Sequence, residues 1–441
     1  MRAARPQRAS LETLCALLLT QSLLGGCAHS LVQDGAVRPD LYEELVERTA
    51  RTRGITPDRA LPVRIITRSQ IPELTRGSIE THWDSDSLDA YQDSLVALGL
   101  WPPDRDLVEE YVAVGSEESA GFYRPSHRTL YVVDDARIPF SLRLASWLTR
   151  RDVFRELALS HEIVHALQHQ AHPWLLEEAI AWRQQDDAAM AIRAAIEGDA
   201  TLYGFMVTMN ASSRYDLPAP DLLRKGMDQE MENLRSDSAL ATTPALVRYS
   251  LPFPYVTGYG LSYEQGTALL EDPPISTEQV LHPKRRRSFV AVDLRDARSL
   301  LPGGCRLLDE NTLGEFGISI LLRDHDGTVS PDAWQGWDGD RYLAARCGDQ
   351  REFVWLTSWD SWADADQFAR AYAEIAGAVG ARAMLTAPPR IERREHEVWI
   401  ASEGLVAWTQ QIAAAARRRR VSRLEELRAH FAEPADRSEE Q

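Results

Sequence analysis

The spacing of hydrophobic and polar positions changes period several times along this chain. Residues 61–67 (LPVRIIT) are β-branched and bounded by charge, which predicts a strand. Residues 88–98 carry apolar positions at helical spacing and stop near Gly99 and the Pro102-Pro103 pair. In 120–133 (AGFYRPSHRTLYVV) two aromatic, β-prone arms flank a turn holding Pro125 and Ser126, the pattern of a hairpin. Helical periodicity returns over 152–170, breaks at Pro173 and resumes over 175–209. The stretch 252–283 is rich in Pro, Gly and Tyr and reads as loop with a short helix at 261–270.

Arg285-Arg286-Arg287 reads as an exposed link. Beyond it, strand-like FVAVDL and REFVWL alternate with helical patterns at 311–322 and 364–376, which predicts a small α+β unit. The fold class expected is therefore α+β: a helix-rich domain over 61–285, a small α+β domain over 286–410, and a charged tail at 411–441. The tail carries Arg417 to Arg420 and reads as a solvated helix that frays. Residues 27–60 are polar and read as a tether.

Composition narrows the function classes. With 441 residues and 44% hydrophobic content the chain can bury a real core, so a largely disordered protein is excluded. A formal charge of −17 argues against a nucleic-acid surface, which needs clustered cations facing phosphate. At the start, Arg2, Arg5 and Arg8 precede a short apolar stretch that closes with Leu24-Gly25-Gly26-Cys27. It is too short to span a bilayer and reads as a signal peptide over 1–26. The small residues before the cysteine resemble a bacterial lipobox, implying lipid attachment at Cys27; an ordinary signal peptide with an incidental cysteine is the alternative. By resemblance to lipoprotein sorting rules, Ala28 favours the outer membrane. Membrane contact would then be through lipid alone. Cys305 and Cys347 remain in the exported chain, and one disulfide is expected between them, against two separate buried thiols.

One constellation stands out. His161-Glu162-Ile163-Val164-His165 is an HExxH sequence inside a predicted buried helix. Imidazoles four residues apart on a helix face one side and can chelate a single Zn²⁺. Glu162 can then take a proton from zinc-bound water. A catalytic zinc needs a third protein ligand. Downstream, Glu177 or Glu178 in WLLEEA and Glu197 in AAIEGDA are the candidates. Among small and apolar neighbours, Glu197 would be costly unless it met a cation; its ordinary alternative is an i−4 ion pair with Arg193.

HEIVHALQHQ followed by AIRAAIEGDATL resembles bacterial zincin-type metallopeptidase-like proteins of the gluzincin kind. AGFYRPSHRTLYVV, LPFPYVTG and PPISTEQVLHP extend the resemblance, as do GWDGDRY and SWDSWADADQF less specifically. It implies a zincin-like domain in which His161, His165 and Glu197 are metal ligands and Glu162 the base. Two features depart from the pattern: His169 stands where Asp is expected, and the interval between the motifs is short, which keeps Glu178 in play. Tyr255 and His282 are candidate donors to the oxyanion of the reaction; each has a plain structural alternative, a packed Tyr and a loop His before Pro283. The hairpin at 120–133 offers an edge strand for an extended peptide.

The function expected is a lipid-anchored zinc metallopeptidase of the cell envelope, hydrolysing peptide bonds of a peptide or protein substrate by Glu-assisted attack of zinc-bound water. The alternatives are a non-catalytic, zinc-braced lipoprotein serving envelope assembly or binding, and hydrolysis of an amide other than a peptide bond.

Overall fold

The computed structural model describes residues 30–33, 35–136, 138, 140–176, 184–232, 239–285 and 288–432. The proposed signal segment, Cys27, Glu177, Glu178 and two of the three linker arginines therefore lie outside the described residues. The fold is mixed α+β, as the patterning predicts.

In chain order the helices that frame the core include α1 (Pro39–Arg53), α2 (Ile71–His82), α3 (Ser85–Ala97), α4 (Leu107–Glu118), α5 (Val153–Ala171), α6 (Asp186–Met209), α7 (Phe253–Gln265), α8 (Gly314–His325) and α9 (Trp362–Ala383). Before α5 lies a three-stranded sheet of β3 (Val63–Ile66), β4 (Gly121–Arg124) and β5 (Thr129–Val133), after a short β1–β2 pair at Val32–Gln33 and Ala36–Val37. β3 pairs in parallel with β5, and β4 pairs antiparallel with β5 as the hairpin requires, which leaves β4 an edge. Leu130 and Val132 of β5 pack on Leu159, Ile163 and Leu167 of α5 in one apolar cluster.

That cluster also contains Leu31, Tyr42 and Leu45. Residues 30–60 are thus not a tether. Most polar residues of α1 face solvent, but one stripe, Tyr42, Leu45, Thr49, Ala50 and Arg53, is buried and docks on α5 and α6.

α5 starts where the Asp152 side chain accepts the Arg155 backbone N–H, and it ends at His172, before Pro173. The next long helix is shorter than its periodicity implied and begins at Asp186. The segment read as loop at 252–283 is mostly helical. Pro254 falls in the first turn of α7, where its missing N–H costs nothing, and Gly266 closes that helix at φ 68°. The glycines along α7 are not loop punctuation. A Cβ on Gly198 would overlap the Gly258 carbonyl oxygen, and one on Gly258 would overlap that of Ala194, so α6 and α7 touch backbone to backbone.

The remaining strands are β6 (Phe289–Asp293), β7 (Cys305–Asn311), β8 (Trp337–Cys347), β9 (Gln350–Trp359), β10 (Arg390–Arg394), β11 (Glu397–Ala401) and β12 (Arg417–Val421). Five form an antiparallel sheet in the order β10-β11-β9-β8-β7. Cys305 and Cys347 face each other across β7 and β8, with Cα atoms 4.1 Å apart, and form the expected disulfide. The sheet does not stand apart from the helical half: Trp337, Tyr342 and Trp355 share one core with residues of α3, α6 and α8. The two units expected from the patterning therefore share one core.

The charged end also differs from expectation. Arg417–Val421 is strand β12, antiparallel to β6. Arg417 pairs with Asp293 and Arg420 with Asp338, buried acids on neighbouring strands, while Arg418, Arg419 and Arg420 stay exposed. No helix among the described residues is long and apolar enough to cross a membrane.

Candidate metal centre

α5 carries His161 and His165 one turn apart, and α6 crosses it with Glu197 facing them. The crossing is close because Gly204 stands against α5: a Cβ there would lie 3.6 Å from the His161 Cβ. The Glu197 Oε2 lies 3.1 Å from His161 Nε2 and 3.2 Å from His165 Nε2, and the two Nε2 atoms are 3.0 Å apart. Ligand atoms about 2.0–2.1 Å from a tetrahedral ion are separated by about 3.3–3.4 Å, so the triangle nearly matches one face of such a site. Among the described residues these three are the group placed to hold a metal ion. Glu197 does not pair with Arg193; it meets the two imidazoles instead.

The charges follow from this geometry. Burial works against a charged His165, but the Glu197 carboxylate more than offsets it and raises the imidazole's pKa. Glu197 is correspondingly lowered, since the imidazoles outweigh its own burial. Glu162 is 8% exposed and its pKa is raised, chiefly by burial and further by Glu197, against the opposing pull of the two histidines. Edge strand β4 lies beside it: a Cβ on Gly121 would be 3.8 Å from the Glu162 Cγ.

Behind His165 lies a set of partners that the motif alone did not reveal. Gln168 Nε2 donates to the Ile196 carbonyl at 3.0 Å and to Asp199 Oδ2 at 2.8 Å. Its Oε1 must therefore face His165 Nδ1, 2.8 Å away, and that nitrogen donates. The lone pair of His165 is left on Nε2, pointing at the cluster. Asp199 is held in turn by Arg53 of α1 at 3.0 Å, a buried ion pair. The Glu197-Gly198-Asp199 run thus divides its work among a carboxylate facing the imidazoles, a contact point for α7, and an anchor for the residue that orients His165. Gln168 and Asp199 lie within three residues of motif positions, so local spacing could have flagged them. Arg53 is 146 residues from Asp199 and carries no such signal.

The two candidate donors part company. Tyr255, on α7, stacks on the His161 ring with centroids 5.8 Å apart, and the Glu197 carboxylate together with burial pushes its hydroxyl's pKa up. Its ring remains 43% exposed. His282 is not brought to the cluster: its Nε2 meets Glu315 Oε1 at 2.9 Å. The short helix before it docks instead at Asp187, ten residues upstream of Glu197 and so about 15 Å away along α6. His169 meets the Tyr123 hydroxyl at 2.8 Å.

Fold and site together define an α+β protein with a two-histidine, one-carboxylate cluster between crossed helices. Among protein families, the chain matches a domain of unknown function (DUF8575) over residues 305–427. That stretch runs from β7 into the helix Leu424–Ala432 and excludes the cluster. No curated protein and no solved structure matches the chain.

Proposed function

We propose that this chain is a zinc metallopeptidase, exported and anchored to the cell envelope by lipid at Cys27. The observation that carries the reading is the convergence of His161, His165 and Glu197 with an unliganded, buried Glu162 on the same helix. A site that only braced a fold would need no such carboxylate. When bound, zinc supplies a Lewis acid that lowers the pKa of water to about 7 and polarises a carbonyl.

The chain's own residues do the rest. Glu162, raised by burial, is a stronger base than a solvated carboxylate and takes the proton of the attacking water. It then delivers that proton to the leaving nitrogen. The C–N bond breaks, and the oxygen of water ends on the carbonyl carbon. Tyr255 has its ring against His161 and can turn its hydroxyl proton to the oxyanion. β4 offers free backbone groups beside Glu162 on which an extended peptide can lie.

Metal analysis and a broad peptide-library digest of the full chain test this. Stoichiometric zinc with cleavage is expected. A protein that retains zinc yet cleaves no peptide would favour the non-catalytic, zinc-braced alternative, and one that binds no zinc would sink both.

A further inference from the structure

A cavity of about 470 Å³ opens between α2, α3, α4, α6 and α8, its α6 wall running from Asp186 to Arg193 and so ending one turn before Glu197. That volume is within the range of small-molecule sites. Its wall is mainly apolar and aromatic, with Trp83, Tyr91, Tyr111 and Phe316 contributing rings. Of the acids on the wall, Asp186 accepts the Tyr91 hydroxyl at 2.7 Å, and Asp187 accepts the Thr277 backbone N–H at 3.0 Å through Oδ1 while its buried Oδ2 meets no donor among the described residues. Arg193 is different. It lines the cavity, is exposed, and has no carboxylate in ion-pair range among the described residues.

Arg193 also sits at the junction of cavity and cluster. It lies one turn before Glu197 on α6, so their Cβ atoms are about 6 Å apart. Its charge acts on the Tyr255 hydroxyl at the cluster and on the Tyr111 hydroxyl in the cavity wall. An anion paired with Arg193 would be held beside the metal ligands, with any apolar group attached to it directed into the cavity.

We propose that this cavity binds the C-terminal residue of a peptide, the α-carboxylate on Arg193 and an apolar or aromatic side chain among the rings. The site would then release a terminal residue of that kind. This rests on the peptidase reading above for its reaction, but its binding chemistry can be tested without turnover. An Arg–carboxylate pair supplies two parallel, charge-assisted hydrogen bonds, which an amide cannot reproduce. The ring-lined wall supplies the apolar half of the recognition.

Calorimetric titration of the full chain with N-acetyl-phenylalanine, its primary amide and N-acetyl-glycine tests the assignment. The acid should bind at least tenfold more tightly than the amide, and N-acetyl-glycine should bind weakly. Arg193→Ala should erase the preference for acid over amide. Ala189→Phe, which fills the cavity from its wall, should weaken both phenylalanine ligands; an unchanged circular-dichroism melt keeps the comparison sound. Equal affinity of acid and amide, or an acid preference that survives Arg193→Ala, overturns the proposal. Acid-selective binding with no peptide hydrolysis would leave the pocket standing and remove the peptidase reading. Cleavage within peptides, without preference for a free carboxyl terminus, would do the reverse.

Discussion

Gln168→Ala removes a side chain that touches no reacting group, yet it should weaken metal binding strongly. The amide makes three buried hydrogen bonds, to His165 Nδ1, to the Ile196 carbonyl and to the Asp199 carboxylate. Two are between neutral groups at roughly 1 kcal/mol each, and the bond to Asp199 is charge-assisted at about 1.5–3 kcal/mol. Losing all three should cost about 3–5 kcal/mol, a large share of a typical 5–15 kcal/mol fold stability. A second effect is separate from stability. Without Gln168 the His165 ring is free to rotate or to change tautomer, and loss of such outer partners typically costs about 10–100-fold in metal affinity. Zinc titration against a competing chelator, well below the melting temperature, isolates that term, and a urea melt of metal-free protein measures the first. Gln170→Ala is the control, because its amide bonds only to the backbone of Thr56 and Asp58. Zinc affinity of Gln168→Ala within twofold of the parent would refute the assigned orientation of His165.

Three further outcomes are expected. Glu162→Gln should keep zinc while lowering kcat/KM by about 10²–10⁴-fold in a peptide-cleavage assay; parental activity would rule out Glu162 as the base. Asp293 is buried, which raises its pKa, but the Arg295 hydrogen bonds and Arg417 more than offset this and hold it at about 2, below the ordinary 3.8. A depressed carboxylate contributes its full stabilisation above the unfolded value, so about 2 kcal/mol should be present above pH 4 and lost as pH falls toward 2. Urea midpoints of Asp293→Asn should lack that part of the acid slope, and parallel slopes would count against the ion pair. Finally, the Cys305–Cys347 bridge closes 42 residues, so reduction should cost roughly 4 kcal/mol on the loop-entropy model, read as a lower denaturant midpoint with reductant present.

Much of the local structure was legible in the chain. The hairpin at 120–133, the helix bearing His161 and His165, and the strands FVAVDL and REFVWL all occur where period and turn chemistry placed them. Each is set by near neighbours: the pleat alternates every two residues, and a helix repeats every 3.6. The pairing of Cys305 with Cys347 was also within reach, since the expectation of an exported chain, with Cys15 removed and Cys27 acylated, left two thiols with one way to join. The helix at Phe253–Gln265 was not, because its glycines look like breakers until α6 is laid against it. Gly258 serves contact with Gly198 and Ala194, which only the packed structure shows.

By itself, then, the sequence determined the helix that presents two imidazoles on one side and the acid between them. Tertiary structure alone decided that Glu197 meets those imidazoles, that Tyr255 reaches the cluster while His282 pairs with Glu315, and that Arg53 steadies Asp199 from α1. It also drew Arg417–Val421 into a strand against β6, through acids that no local pattern ties to them. The physical reason is range. Backbone periodicity is a property of adjacent residues, whereas a buried charge is placed by whichever distant partner makes its desolvation tolerable.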